Sequence, residues 1–259
     1  MALHSIIEQG SGAPLLLLHA FPLSGAMWRR EIPLFAPFLR VIAPDLPGFG
    51  RSPRAPQPSI AAMAQQAAEV LDRLHVQDPV VLAGLSMGGY VAFEFLRQFP
   101  RRVRALALWS TKAAADTPEQ QQGRFKLIER VRQEGSEALI QATFPKLLGR
   151  TAFASQPAVV AEVEQAVRDA SPDGVIDALR AMAQRSDSRP LLPSISCPTL
   201  VLAGAEDAVI PPQESEAMAQ AIRGARFETI PEAGHLLNLE RPEAFHECAV
   251  TWIQQVVKT

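Results

Sequence analysis

Residues 80–95 read VVLAGLSMGGYVAFEF. An apolar run climbs to Leu85 and meets a single hydroxyl, Ser86. Gly84 stands two positions before it, Gly88 two positions after it, and helix-forming residues resume at once. The pattern predicts a very tight turn from strand to helix, with Ser86 in a strained backbone conformation. Side chains two positions to either side would collide there, and glycine removes the collision. Such a turn lifts a hydroxyl above the strand ends, over the N-terminus of the following helix. GLSMG matches G-x-S-x-G, and the strand–turn–helix context gives the match its weight. A glycine-rich turn with a capping serine would use the same residues without chemistry. Serine is a weak nucleophile at neutral pH, so a chemical role requires a base and an acid that orients it.

Further apolar runs occur at residues 15–18 (LLLL), 40–43, 79–85, 103–109 (VRALALW), 199–203 (TLVLA) and 226–230 (RFETI). They lack period-two alternation, which suggests strands covered on both faces, as in a parallel sheet. Between them the spacing predicts amphipathic helices over 59–75, with Ser59 as N-cap, over 87–99 and over 240–256. Strand–helix repetition of this kind argues for an open α/β sheet. Residues 112–190 break the rhythm, with no convincing strand. Thr117-Pro118 and Ser171-Pro172 each look like an N-cap followed by proline at the first helical position. The expectation is a core of residues 1–111 and 191–259 interrupted by a four-helix insertion, 112–190.

Composition excludes several classes. The 259 residues are 47% hydrophobic and 20% charged, with a formal net charge of −2, an ordinary globular balance that favours neither nucleic acid nor an anionic membrane. Cys197 and Cys248 form neither a disulfide framework nor a metal-ligand spacing. MALHSIIEQG lacks the basic start and apolar core of a signal peptide, and PLLLLHAFPL is broken by His19 and Pro22. A cytoplasmic protein without a membrane span is expected.

Five histidines compete for the base. His4, His75 and His246 sit in unremarkable surroundings; His19 follows LLLL at a strand end and suits a turn-shaping role. His235, in PEAGHLLNLERP after the last strand, is the expected general base, on a loop that Gly234 lets bend. For the acid, Asp207 in VLAGAEDAVIPP follows the 199–203 strand and should share a rim with Ser86, with neighbouring Glu206 pointing elsewhere. Asp116 lies further out, and Asp45 in PDLPGFGRS suits bracing a turn. The chain order Ser86, Asp207, His235 is that of α/β-hydrolases.

The sequence resembles the α/β-hydrolase superfamily over nearly its full length. HAFPLS resembles the oxyanion loop, DLPGFGRS the segment after the fourth strand, GLSMGG the nucleophile elbow, GAEDAVIPP the acid loop and GHLLNLERP the histidine loop. The resemblance implies an α/β-hydrolase fold: a mostly parallel central sheet, helices on both faces and an inserted helical cap. It also implies an oxyanion hole made by the backbone N–H groups of Phe21 and Met87. His19-Ala20 replaces the usual His-Gly pair. No cofactor and no metal are implied; ester or lactone and water suffice.

Within the superfamily the sequence resembles small bacterial carboxylesterases and 3-oxoadipate enol-lactonases. The cap lacks the tryptophan that the lactonase resemblance leads one to expect. Residues 112–190 carry 11 Lys plus Arg and 11 Asp plus Glu, which indicates no strongly cationic funnel, although one arginine can suffice for a carboxylate; small, mostly uncharged esters or lactones are the expected substrates. Trp109, Phe125, Phe144, Phe153 and Met182 are the candidates for pocket lining; Trp28 and Trp252 look structural. A carboxylesterase-like serine hydrolase is the first reading. A 3-oxoadipate enol-lactonase-like activity, carbon–carbon bond hydrolysis, cofactor-free perhydrolysis and a non-catalytic ligand receptor are the alternatives.

Overall fold

A computed structural model describes residues 5–258; His4 lies outside the described residues. Most of the apolar runs become strands because both of their faces are covered. Every residue of β4, Val80–Leu85, and β6, Thr199–Gly204, is buried. β2, Ala13–Leu18, β3, Leu39–Pro44, and β5, Val103–Trp109, are nearly so. β7, Arg226–Ile230, is half open. β1, Ile6–Gln9, is a strand the sequence pattern did not reveal, because its four residues are half polar and none is buried.

These strands form one seven-stranded sheet in the order β1-β3-β2-β4-β5-β6-β7. β1 runs antiparallel to β3 and the remaining pairs are parallel. All the parallel strands therefore end on one rim, where open α/β sheets bind ligands. β2 and β5 flank β4, so the turn that leaves β4 sits between the loops leaving its two neighbours.

The first helices are α1, Ile32–Phe35, α2, Ile60–Arg73, and α3, Met87–Gln98. Ser59 caps α2 as its position predicts, accepting the Ala62 N–H at 3.0 Å. Between β5 and β6 lie α4, Pro118–Glu134, α5, Glu137–Ala142, α6, Phe144–Leu147, α7, Arg150–Ser155, α8, Pro157–Arg168, and α9, Pro172–Ala183. Thr117 and Gln120 close a capping box on α4, and Ser171 caps α9. Six helices thus stand where periodicity suggested four. α5, α6 and α7 span one or two turns each, too few to show a repeat.

After β6 come α10, Pro212–Gln220, α11, Leu237–Glu240, and α12, Pro242–Lys258. The single helix expected over 240–256 is instead broken at Arg241 (φ −135°, ψ 62°). Pro242 pushes the residue before it out of the helical region, so Glu240 belongs to the histidine loop rather than to the last helix. No described helix is long and apolar enough to cross a membrane.

Candidate active site

The turn between β4 and α3 is compressed as its sequence predicts. Ser86 has φ 56° and ψ −113°, a conformation that costs a non-glycine residue about 1–3 kcal/mol. Neighbouring contacts over-determine it. The Ser86 N–H donates to the Trp109 carbonyl at the end of β5 (2.9 Å). The Ser86 carbonyl accepts from Gly89 N–H (2.9 Å) and from the Thr111 hydroxyl (2.9 Å). A Cβ on Gly84 would lie 2.3 Å from the Gly88 carbonyl oxygen, and one on Gly88 would lie 2.2 Å from the Leu18 carbonyl oxygen. Glycine is therefore a steric requirement on both sides of the serine.

Asp207 lies three residues beyond β6, and His235 lies between β7 and α11. Asp207 Oδ1 accepts the N–H groups of Val209 (2.8 Å) and Ile210 (2.9 Å), which fix the carboxylate. Its Oδ2 is left for His235 Nδ1, 2.8 Å away, and both side chains are buried. The acid and histidine loops are joined by the Glu206 N–H to the Ala233 carbonyl (2.7 Å). Glu206 itself turns away, as expected, and accepts the Thr151 N–H (2.9 Å) and hydroxyl (2.8 Å) and Arg150 Nε (3.1 Å).

Ser86 and His235 line one cavity of about 380 Å³. Among the described residues no hydrogen bond joins Ser86 Oγ to the imidazole. Phe21 lines the same cavity. Its N–H and that of Met87 have no protein acceptor among the described residues. His19 shapes the loop that carries Phe21. Its Nδ1–H donates to the Ala20 carbonyl (3.0 Å) and its Nε2 accepts the Leu46 N–H (2.9 Å). Burial lowers its pKa to about 4, against weaker opposing contributions from the Ala20 carbonyl and Asp45, so the ring stays neutral. Asp45 braces its turn, as expected, by accepting the N–H groups of Gly25 (2.9 Å) and Arg51 (3.0 Å).

Of the aromatic and methionine candidates only Met182 lines this cavity. Trp109 is fully buried and stacks edge-on with Trp28 and Phe245; in a parallel sheet a strand-end side chain can face either layer, and sequence does not decide which. Phe144 packs against Phe153 (ring centroids 5.7 Å apart), and Phe125 is exposed. The apolar wall comes instead from Leu127, Leu147, Leu179, Ile210 and Tyr90. Tyr90 had a readable signal: it follows Ser86 by four residues and so shares its helix face.

Charge is distributed unevenly around the cavity. Lys112, Arg124 and Lys146 line it against one carboxylate, Asp116. Asp116 is already shared between Arg124 and Arg185. Lys112 donates to the Gln120 side-chain carbonyl (3.3 Å), and burial lowers its pKa. Neither Lys112 nor Lys146 makes an ion pair among the described residues. The neutral balance of residues 112–190 thus concealed a local excess, because the acidic side chains of that segment mostly lie elsewhere.

A profile for the alpha/beta hydrolase fold matches residues 13–242. The chain belongs to the alpha/beta hydrolase fold family. A thermophilic esterase from Thermogutta terrifontis, solved with malate bound, superposes with a TM-score of 0.95 at 41% identity, covering 98% of this chain and 93% of that one. A candidate carbamate hydrolase from Azorhizobium caulinodans is 32% identical, over 92% of this chain and 90% of its own length. A 3-oxoadipate enol-lactonase from Acinetobacter baylyi is 27% identical, over 94% and 89%.

Two outcomes follow for this alpha/beta hydrolase. Gly88→Ala drives a Cβ into the Leu18 carbonyl and lowers stability by about 1–3 kcal/mol, read as a reduced urea midpoint. The unfolded-state imidazole of His19 binds a proton near pH 6.5, while the folded one resists to about 4. Its contribution is therefore full above pH 6.5 and is lost as pH falls toward 4, on the order of 2–3 kcal/mol. Urea unfolding from pH 7 to 4.5 measures this slope, and His19→Gln flattens it.

Proposed function

We propose that the protein hydrolyses small carboxylic esters or lactones through an acyl-enzyme on Ser86. The observation that carries this reading is that a serine on a strained elbow and an imidazole hydrogen-bonded to a buried aspartate open onto one cavity. Ser86 Oγ attacks the carbonyl carbon as His235 Nε2 takes its proton, and Asp207 holds the Nδ1 tautomer and stabilises the imidazolium. The Ser86–His235 hydrogen bond tightens as substrate binds, since such bonds are often long in unliganded enzymes. The oxyanion is held by the Phe21 and Met87 N–H groups, each worth about 3 kcal/mol of transition-state stabilisation. The carbonyl re-forms, the alkoxide leaves with the histidine proton, and water repeats the sequence to release the acid. The β5–β6 helices act as a cap over this cavity. The esterase and enol-lactonase likenesses support the reaction class.

The cationic lining favours a lactonase-like variant of this reading, in which the substrate carries a carboxylate remote from the scissile bond. The malate bound to the Thermogutta terrifontis esterase is consistent with such a preference.

Ser86→Ala lowers kcat/KM for p-nitrophenyl butyrate by about 10⁴-fold or more while the urea midpoint stays near or above that of the parent; retained turnover removes Ser86 from its role and a receptor shows no turnover to lose. Hydrolysis of monomethyl glutarate against methyl valerate tests the charge preference. The anionic ester is favoured, and Lys146→Gln, which removes a charge that makes no ion pair among the described residues, lowers kcat/KM for the anion about tenfold and leaves the neutral ester nearly unchanged. Equal effects on both esters rule out the carboxylate reading.

A further inference from the structure

Behind His235 lies a second buried carboxylate. Glu240 is 2% exposed, and its two oxygens are occupied by main-chain donors. Oε2 accepts the N–H groups of Gly149 (2.7 Å) and Gly234 (2.9 Å), and Oε1 accepts that of Leu236 (3.1 Å). Gly234 and Leu236 are the residues on either side of His235. Gly149 is the N-cap of α7, in the helical segment between β5 and β6. One carboxylate thus grips the base from both chain directions and ties its loop to the cap.

The surrounding contacts are built around this junction. The Leu236 N–H also reaches the Leu147 carbonyl (3.2 Å), and Gln156 Nε2 donates to the Glu240 carbonyl (3.1 Å). A Cβ on Gly234 would lie 2.1 Å from the Gly149 nitrogen, so the two backbones approach as closely as glycine allows. Glu206, next to Asp207, holds Thr151 on the same cap segment. Leu147, in the tethered stretch, lines the cavity.

We propose that Glu240 is the positioning residue for His235: it fixes the histidine loop and the 147–149 segment of the cap as one unit, and its charge favours the imidazolium formed during reaction. Three main-chain N–H donors are the means by which a buried carboxylate keeps its charge. Burial raises the Glu240 pKa, and those N–H groups and the nearby imidazole oppose the rise. The charged groups facing His235 are Asp207 on Nδ1, Glu240 behind it, and Lys112, Asp116, Arg124 and Lys146 across the cavity. Glu240 is the one among them bonded to the backbone on both sides of the ring.

The test compares wild type, Glu240→Gln and Glu240→Asp, counting active sites with a fluorophosphonate and measuring kcat/KM for p-nitrophenyl acetate from pH 5 to 8. The inference rests on the proposed Ser86–His235 chemistry, and a wild type that takes no fluorophosphonate at Ser86 defeats that chemistry rather than this step. Per titrated site, Glu240→Gln lowers the plateau about tenfold or more and moves the acid limb to lower pH by on the order of half a unit. Glu240→Asp keeps the charge but withdraws it by one methylene; its plateau falls and its acid limb stays near that of wild type. If the Gln variant does not accumulate as folded protein, the Asp variant alone decides by the same criterion. Wild-type plateaus and limbs per titrated site, with only a lower Tm, overturn the proposal, since a merely structural brace changes how much protein folds and not how each site responds to pH.

Discussion

The collision that Gly84 and Gly88 avoid is the constraint on which the rest of the molecule depends. A chain can leave β4 and enter α3 through a single residue at φ 56° only if the positions two before and two after that residue have no side chain. Once that holds, the serine hydroxyl has to stand above the rim, and the sheet order puts the ends of β2 and β5 beside it. The Trp109 carbonyl, the Thr111 hydroxyl and the Leu18 carbonyl then close around the turn. Strain at Ser86 is held by packing of the whole sheet, which is the usual way functional sites keep an unfavourable backbone.

The acid and base loops are organised differently. Neither Asp207 nor His235 is strained in the manner of Ser86; each is held by hydrogen bonds. Asp207 spends one oxygen on two main-chain N–H groups and so has the other to spare for the imidazole. The loops carrying them are joined to each other through Ala233 and to the β5–β6 helices through Glu206 and Glu240. Main-chain donors satisfied by buried carboxylates recur on this side of the site, while the serine side relies on steric closeness.

The fold was legible because hydrophobic runs covered on both faces, with helices between them, leave few arrangements other than an open parallel sheet. The elbow was legible because its glycines are dictated by local geometry. What escaped the sequence did so for physical reasons. β1 is a short edge strand with no buried residue. α5, α6 and α7 are too brief to show a period. Trp109 sits at the right strand end, yet its ring enters the core with Trp28 and Phe245. The cationic side of the cavity was hidden by counting charge over a segment whose acids face other ways. Glu240 continues the helical pattern of the last helix in sequence, yet that helix begins at Pro242. For Trp109 and the cationic side chains the missing information is which way a side chain faces after the chain has folded, and that is set by contacts distant in sequence.

The residue that carries the adduct of an active-site phosphonate identifies the nucleophile. The protein is treated with an alkyl fluorophosphonate, sampled over time for esterase activity, and digested for peptide mass spectrometry. One phosphonyl group per chain is expected, on Ser86, with activity falling in proportion to its occupancy. Labelling on another residue, or full activity in chains labelled at Ser86, would contradict Ser86 as the nucleophile.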